Sequence, residues 1–246
     1  AELVSKNSTY DLPTPTRKNA AFLGWYTAVG KELVTNGTKL KSTYGQTLVA
    51  KWDTSGHSFV KSKTYQNNFK DVSSRAWYYP YVTAAYSYGL MDGIETNKFK
   101  PDKQISAAQT ITLAARLRKL YLTGNGTFAN SSPWYKAYSD YAISQGIISS
   151  LPSDMNAPLT RQEFASILAK ALPSSALPSV NDVPDGSIPD TYKSDKGIYQ
   201  LYRAGVLSGN DDAGTFRPNA PITRAEVASV LVRMADPNTR ILFSLD

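Results

Sequence analysis

The stretch Thr160-Arg161-Gln162-Glu163-Phe164-Ala165-Ser166-Ile167-Leu168 returns as Thr223-Arg224-Ala225-Glu226-Val227-Ala228-Ser229-Val230-Leu231, and more loosely as Ser106-Ala107-Ala108-Gln109 with an apolar run behind it. In every copy a hydroxyl residue stands three positions before a Glu or Gln: Ser106/Gln109, Thr160/Glu163 and Thr223/Glu226. This spacing is a capping box. The hydroxyl accepts the backbone N–H of the third helical residue, and the acid or amide reaches back to the N–H of the hydroxyl residue. Ile167, Leu168 and Ala171, or Val230, Leu231 and Met234, then fall on one face of the helix that follows.

Upstream of each box the self-similarity continues. The first copy runs Trp77-Tyr78-Tyr79-Pro80-Tyr81-Val82, reaches Gly89-Leu90-Met91 and steps through Phe99-Lys100-Pro101. The second has Trp134 and Gly146-Ile147-Ile148. The third has Asp182-Val183-Pro184-Asp185, Gly205-Val206-Leu207-Ser208-Gly209 and Phe216-Arg217-Pro218. Trp77 precedes Gly89 by 12 residues, as Trp134 precedes Gly146, and Phe99 precedes Ser106 by seven, as Phe216 precedes Thr223. The second copy lacks the Phe-x-Pro step, so its loop is shorter. Helices are expected over 78–88, 135–145 and 197–204, each stopping at a glycine suited to the left-handed position after a helix. Each copy therefore reads as helix, glycine stop, loop, helix. One such hairpin cannot bury its apolar face alone, so three copies should pack together around their capped helices.

The composition fits a folded chain. Of 246 residues, 41% are hydrophobic and 19% charged, an ordinary globular balance. The 16 tyrosines against 8 phenylalanines suit polar, ring-shaped ligands as well as half-buried packing. With no cysteine, disulfides, thiolate metal sites and cysteine nucleophiles are excluded. No apolar run approaches the length of a membrane helix, and Ala1-Glu2-Leu3-Val4 has neither the charged start nor the apolar core of a signal peptide, so Ala1 reads as an internal start. The net charge of +7 is concentrated early, with nine basic against four acidic residues up to Asn67 and 18 against 16 beyond it. It forms no arginine-rich block, which argues against nucleic-acid binding. The single histidine, His57, has no nucleophile or carboxylate arrangement around it, so no cofactor, metal centre or catalytic triad is expected. The loop Gly209-Asn210-Asp211-Asp212-Ala213-Gly214 lacks the alternating acids and bidentate Glu of a calcium loop and reads as a turn.

Phe69-Lys70-Asp71-Val72, Trp77, Gly89-Leu90-Met91-Asp92-Gly93, Phe99-x-Pro101 and the closing Thr223-Arg224-Ala225-Glu226 together resemble the S-layer homology repeat over about residues 68–237. The resemblance implies a mainly α fold, a pseudo-threefold bundle of three helix-loop-helix repeats at 68–124, 125–176 and 177–246. It also implies a secreted, non-catalytic module that anchors its carrier to the cell wall of a Gram-positive bacterium, with no membrane partner. The ligand it implies is a pyruvylated secondary wall polysaccharide seated in grooves between repeats. Two alternatives are a self-assembling surface-lattice module and part of a wall-acting carbohydrate-active enzyme. Ahead of the repeats, Pro13-Thr14-Pro15-Thr16-Arg17, Phe22-Leu23-Gly24-Trp25-Tyr26-Thr27, Gly37-Thr38 and Thr47-Leu48-Val49-Ala50-Lys51-Trp52 resemble a Listeria–Bacteroides repeat, which implies a small β-grasp-like spacer domain at 1–53. Its usual first strand and Asn-Gly-Gly turn are absent or altered here. Residues 54–67 read as a linker with some helical potential.

The candidate site residues follow from the boxes and the loops. Arg161 and Arg224 sit in a first helical turn, where a cation opposes the helix dipole. Either each binds an anion together with the backbone N–H groups of that terminus, or each pairs with an acid such as Asp185. Ala107 takes the arginine's place in the first copy and Gln109 the acid's, so its site is expected to lack the charged fork, leaving three unequal grooves. Trp77 and Trp134 could stack on a sugar or plug the junction between two helical hairpins, the second being slightly favoured, with partial exposure to a groove. Gln109, Glu163, Glu226, Gly209 and Asn210 complete the expected ligand-binding set.

Overall fold

A computed structural model of the chain describes residues 12, 15, 21–29, 31–34, 47–53 and 59–245. Among these residues the fold is mainly helical: α1 (Tyr79–Ser87), α2 (Ala107–Thr123), α3 (Lys136–Ser144), α4 (Arg161–Leu168), α5 (Lys196–Arg203) and α6 (Arg224–Ala235). Ahead of them β1 (Ala21–Thr27), β2 (Leu33–Val34) and β3 (Leu48–Asp53) form an antiparallel sheet in the order β2-β1-β3. The register shifts between Phe22 and Gly24. The turn at Gly37-Thr38 and the lone His57 lie outside the described residues. Of the segment expected to be a linker with helical potential, residues 59–67 contain no helix. They are held onto α1: Ser62 and Lys63 donate their N–H groups to Ser87 O at 2.8 and 3.1 Å, and Tyr65 packs edge-on against Tyr79 and Tyr86.

The local signals act as expected at both ends of the helices. All three capping boxes are closed in both directions. At the stops, Gly89, Gly146 and Gly205 have φ of 67–69°. Their N–H groups bond the carbonyls of Tyr86, Ile143 and Tyr202, while the next N–H in each case reaches Ala85, Ala142 or Leu201. This is the paired arrangement that satisfies the last carbonyls of a helix.

The packing differs from a set of hairpins. α3 lies on α2, α5 on α4 and α1 on α6, so each unit's first helix covers the second helix of the unit before it, and the first helix of the chain closes on the last. The loops explain this. The two outermost N–H groups of each capped helix need acceptors, and they find them in the loop of another unit. Ala107 and Ala108 donate to Ala157 O and Met155 O, Arg161 and Gln162 to Ala220 O and Pro218 O, and Arg224 and Ala225 to Lys103 O and Pro101 O, at 2.8–3.1 Å. The direction is cyclic: first unit to second, second to third, third to first. Isolated bridges Gln104↔Thr223, Ser106↔Pro158 and Thr160↔Pro221 tie the same three segments together. The core inside this ring is continuous, running from Phe69, Leu90 and Phe99 through Ile111, Phe164 and Leu168 to Tyr199, Tyr202, Val227 and Leu231.

The chain beyond α6 folds back on the third unit. Ile241 donates its N–H to Gly205 O at 2.9 Å, and Asn181 Nδ2 donates to Tyr202 O and Ile241 O. A Cβ on Gly205 would stand 2.5 Å from Ile241 O, whereas one on Gly146, at the same backbone angle, would meet nothing within 4 Å. Gly146→Ala is therefore expected to cost about 1 kcal/mol of left-handed strain. Gly205→Ala should cost that plus about 1–3 kcal/mol for displacing the tail. Urea unfolding of the two variants compares them directly, and equal losses would contradict the tail contact.

Candidate functional site

The Phe-x-Pro steps shape the loops from which the site is built. The Asp71 carboxylate accepts the N–H groups of Phe99 and Lys100, both at 2.8 Å. Asp190 does the same for Phe216 and Arg217 at 2.8 and 2.7 Å. Lys100 and Arg217 both have φ near 60°, a cost for a side-chain-bearing residue that the doubly accepting carboxylate offsets. The counterpart of Phe69-Lys70-Asp71 is thus Ile188-Pro189-Asp190, with Phe69 and Ile188 both buried, and the Asp182-Val183-Pro184-Asp185 segment quoted for the third copy lies ahead of it. Asp185 instead receives Lys196 and Arg203, which hold its carboxyl below the usual carboxylate range.

The rigid loops then receive the arginines. Arg161 stacks over the Phe216 ring at 5.2 Å, donates from Nε to Phe216 O at 2.8 Å and from Nη1 to Glu226 Oε1 at 2.7 Å. Arg224 lies over Phe99 at 4.5 Å, donating from Nε to Phe99 O and from Nη2 to Asp92 O, both at 2.8 Å. They are only 8% and 4% exposed. Neither pairs with Asp185. The backbone donors expected to help each arginine hold an anion are already used: the first two N–H groups bond the next unit's loop, and the third bonds the capping hydroxyl. Any anion at these termini would meet side chains, not the helix backbone.

Because each arginine crosses to the next unit, Ala107 and the missing Phe-x-Pro of the second copy are a single departure. An arginine at position 107 would reach toward the second unit's loop, which offers no phenylalanine to receive it. It follows that Ala107 and Gln109, one box in the sequence, belong to different junctions.

A second arginine pair escaped the sequence reading. Arg233 donates to Val206 O and Tyr81 Oη, each at 3.2 Å, and its Nε is buried without a partner. Arg116 makes the same two contacts, with Leu90 O and Tyr138 Oη, at 3.4 and 3.5 Å. Arg116 and Arg233 each stand seven residues after the Gln or Glu of their box, and Tyr81 and Tyr138 each four after a tryptophan. These offsets were readable, but only once the helix-on-helix pairing was known.

At the junction between α4, the third unit and α1, Arg233 and Arg161 line a groove of about 230 Å³. Five expected residues meet there: Trp77, Arg161, Gly209, Asn210 and Glu226, joined by Arg233. Asn210 Nδ2 bonds Thr215 O and Phe216 O, which fixes the loop. Trp77 and Trp134 are 58% and 53% exposed and touch their neighbouring tyrosines edge-on. The favoured core role is thereby corrected: both indoles face solvent. Trp134, Arg224, Gln109 and Arg116 take the equivalent positions at the junction of α2, α3 and α6. The third junction is bare. Ala107 replaces the arginine, Lys170 stands seven residues after Glu163, and Gly197 occupies the tyrosine's place. A Cβ on Gly197 would already stand 3.1 Å from Ala169 Cβ. Glu163 closes its own capping box with Thr160.

Comparison with known proteins bears on this arrangement. Residues 68–111 and 187–228 match the S-layer homology domain. The chain is 31% identical over 127 residues to the surface-layer 125 kDa protein of Lysinibacillus sphaericus, covering 47% of this chain and 11% of that protein. It is 25% identical over 180 residues to an endoglucanase of Bacillus sp. (strain KSM-635), covering 70% and 19%, and 29% identical over 128 residues to exoglucanase XynX of Acetivibrio thermocellus, covering 47% and 12%. The chain thus spans less than a fifth of the length of these relatives. Two segments of the chain are similar to the S-layer homology domain, the class of module that anchors surface proteins to the cell wall. The chain is a secreted, cell-surface protein, and no helix among the described residues is long and apolar enough to cross a membrane.

Arg161→Ala should lower the unfolding free energy by about 2 kcal/mol, since it strips the part-exposed Glu226 of its partner and uncovers Phe216. Arg161→Lys should recover little, because an ammonium cannot serve Phe216 O and Glu226 as the planar fork does. Chemical denaturation of the three chains measures both effects.

Proposed function

We propose that residues 68–246 form three S-layer homology repeats in a pseudo-threefold bundle that binds a pyruvylated secondary wall polysaccharide non-covalently. Binding takes place at the two junctions that pair an exposed tryptophan with two arginines. The observation that carries this reading is the repeated set Trp77, Tyr81, Arg161, Arg233 and Trp134, Tyr138, Arg224, Arg116. An indole face packs on a sugar ring, and guanidinium groups take a carboxylate, here the pyruvyl group. The module works without catalysis. The sheet of residues 21–53 acts as a Listeria–Bacteroides-type spacer between the anchor and whatever larger surface protein it serves, the relatives including both a surface-layer protein and glucanases.

Wall polysaccharide should retain the chain in co-sedimentation, and removing its pyruvyl groups by mild acid should abolish that retention. Trp77→Ala and Trp134→Ala should each weaken binding about tenfold while leaving the melting temperature nearly unchanged, because both indoles are exposed. Full retention on the stripped polymer would refute the anion assignment. A second reading, lattice self-association, draws on the surface-layer relative. Light scattering of the chain without polymer separates it from the first.

A further inference from the structure

Arg161 and Arg224 share their ring and carbonyl contacts but differ in counter-charge. Glu226, the third residue of α6, neutralises Arg161 from within the protein at 2.7 Å. The third residue of α2 stands to α6 as that of α6 stands to α4, because Arg224 N–H bonds Lys103 O as Arg161 N–H bonds Ala220 O. That residue is Gln109. A glutamine closes the capping box equally well, its Oε1 accepting from Ser106 N at 3.2 Å, yet it brings no negative charge.

Arg224 is consequently a buried cation whose hydrogen-bond acceptors are two carbonyls. Among the described residues it makes no ion pair, and its Nη1 makes no hydrogen bond. Burial lowers the guanidinium to about 10, Asp71 and Asp92 opposing this at longer range. The nearby Asp92 carboxylate does not fill the gap: it receives Lys63 at 2.6 Å and Arg116 at 3.5 Å.

We infer that Gln109 determines which groove takes an anionic sugar: it leaves Arg224 without a carboxylate in direct contact and so open to an external one, whereas Glu226 already occupies Arg161. The inference rests on the wall-anchor reading and sharpens it from two comparable grooves to one dominant one. At the Arg224 junction Arg224 and Arg116 face Asp92 and, farther off, Asp71, neither carboxylate touching Arg224, whereas in the Arg161 groove Glu226 touches Arg161 directly.

Two substitutions exchange the charges while keeping a residue that can cap. Calorimetric titration with pyruvylated wall polysaccharide should show Gln109→Glu weakening binding about tenfold, the loss of one charge-assisted contact. Glu226→Gln should strengthen binding or add a second class of sites, a gain that a folding defect cannot imitate. Melting temperatures of both variants confirm that the boxes still close. If the wild-type chain binds and Gln109→Glu binds equally well, or Glu226→Gln binds less, the assignment to Gln109 is overturned while the anchor reading stands. A folded wild-type chain that takes up no polymer overturns both.

Discussion

Six backbone N–H groups, the outermost pair on each of α2, α4 and α6, hold the helical part of the molecule together. Left to itself a capped helix would offer these donors to water. Here each pair enters the loop of the next unit, so every helix start is completed by a neighbour. The same geometry throws the first side chain of each helix across the junction, and an arginine there meets the next unit's phenylalanine and its carbonyl. Capping, ring closure and groove formation are in this sense one event. A unit cut out of the ring would lose the acceptors for its own helix and the donors for its loop.

How much of this was legible depended on whether a signal was carried by side chains. The capping boxes and glycine stops were, because hydroxyl, carboxylate and positive-φ requirements each name a small set of residues. The cyclic order was not, because Ala157, Ala220 and Lys103 contribute only carbonyls, which every residue has. That gap led to two misplacements. Ala107 and Gln109 were grouped as one weakened site, although the structure sends them to different junctions. The third copy, bounded at 177–246, was read from Asp182-Val183-Pro184-Asp185, although a buried isoleucine, Ile188, followed two residues later by the doubly accepting Asp190 is what matches Phe69 and Asp71. The exposed tryptophans were misjudged for a related reason: size favours burial, and nothing in the local sequence says that the adjacent tyrosines fill the junction instead. In the N-terminal quarter the strand runs were readable from their β-branched and aromatic residues, and β1 and β3 fall on them.

The three junctions show how a repeat diversifies without losing its fold. The helix-to-loop bonds are present at all three, including the one that has no arginine, phenylalanine or tyrosine. Where these side chains are present, they build a groove wall. Where they are absent, Ala107 is buried and Gly197 lets α5 approach Ala169 closely. Selection on the ligand can therefore act on a handful of positions that the ring itself leaves free.

The seam between α1 and α6 has a mechanical meaning. It is the junction where the ring closes through side-chain packing between the first and last helices, with no chain running across it. The other two helix pairs, α2 with α3 and α4 with α5, are each followed by continuous backbone. If the module anchors a carrier as proposed, any tension applied through the sheet and residues 59–67 would be delivered to α1 first. The wall of the Arg161 groove that holds Trp77 would then peel before any other, whereas the Arg224 junction, built on α2, α3 and α6, takes no residue from α1. An anchor that keeps its better grip on the far side of the seam can yield at one edge under a pull and still hold.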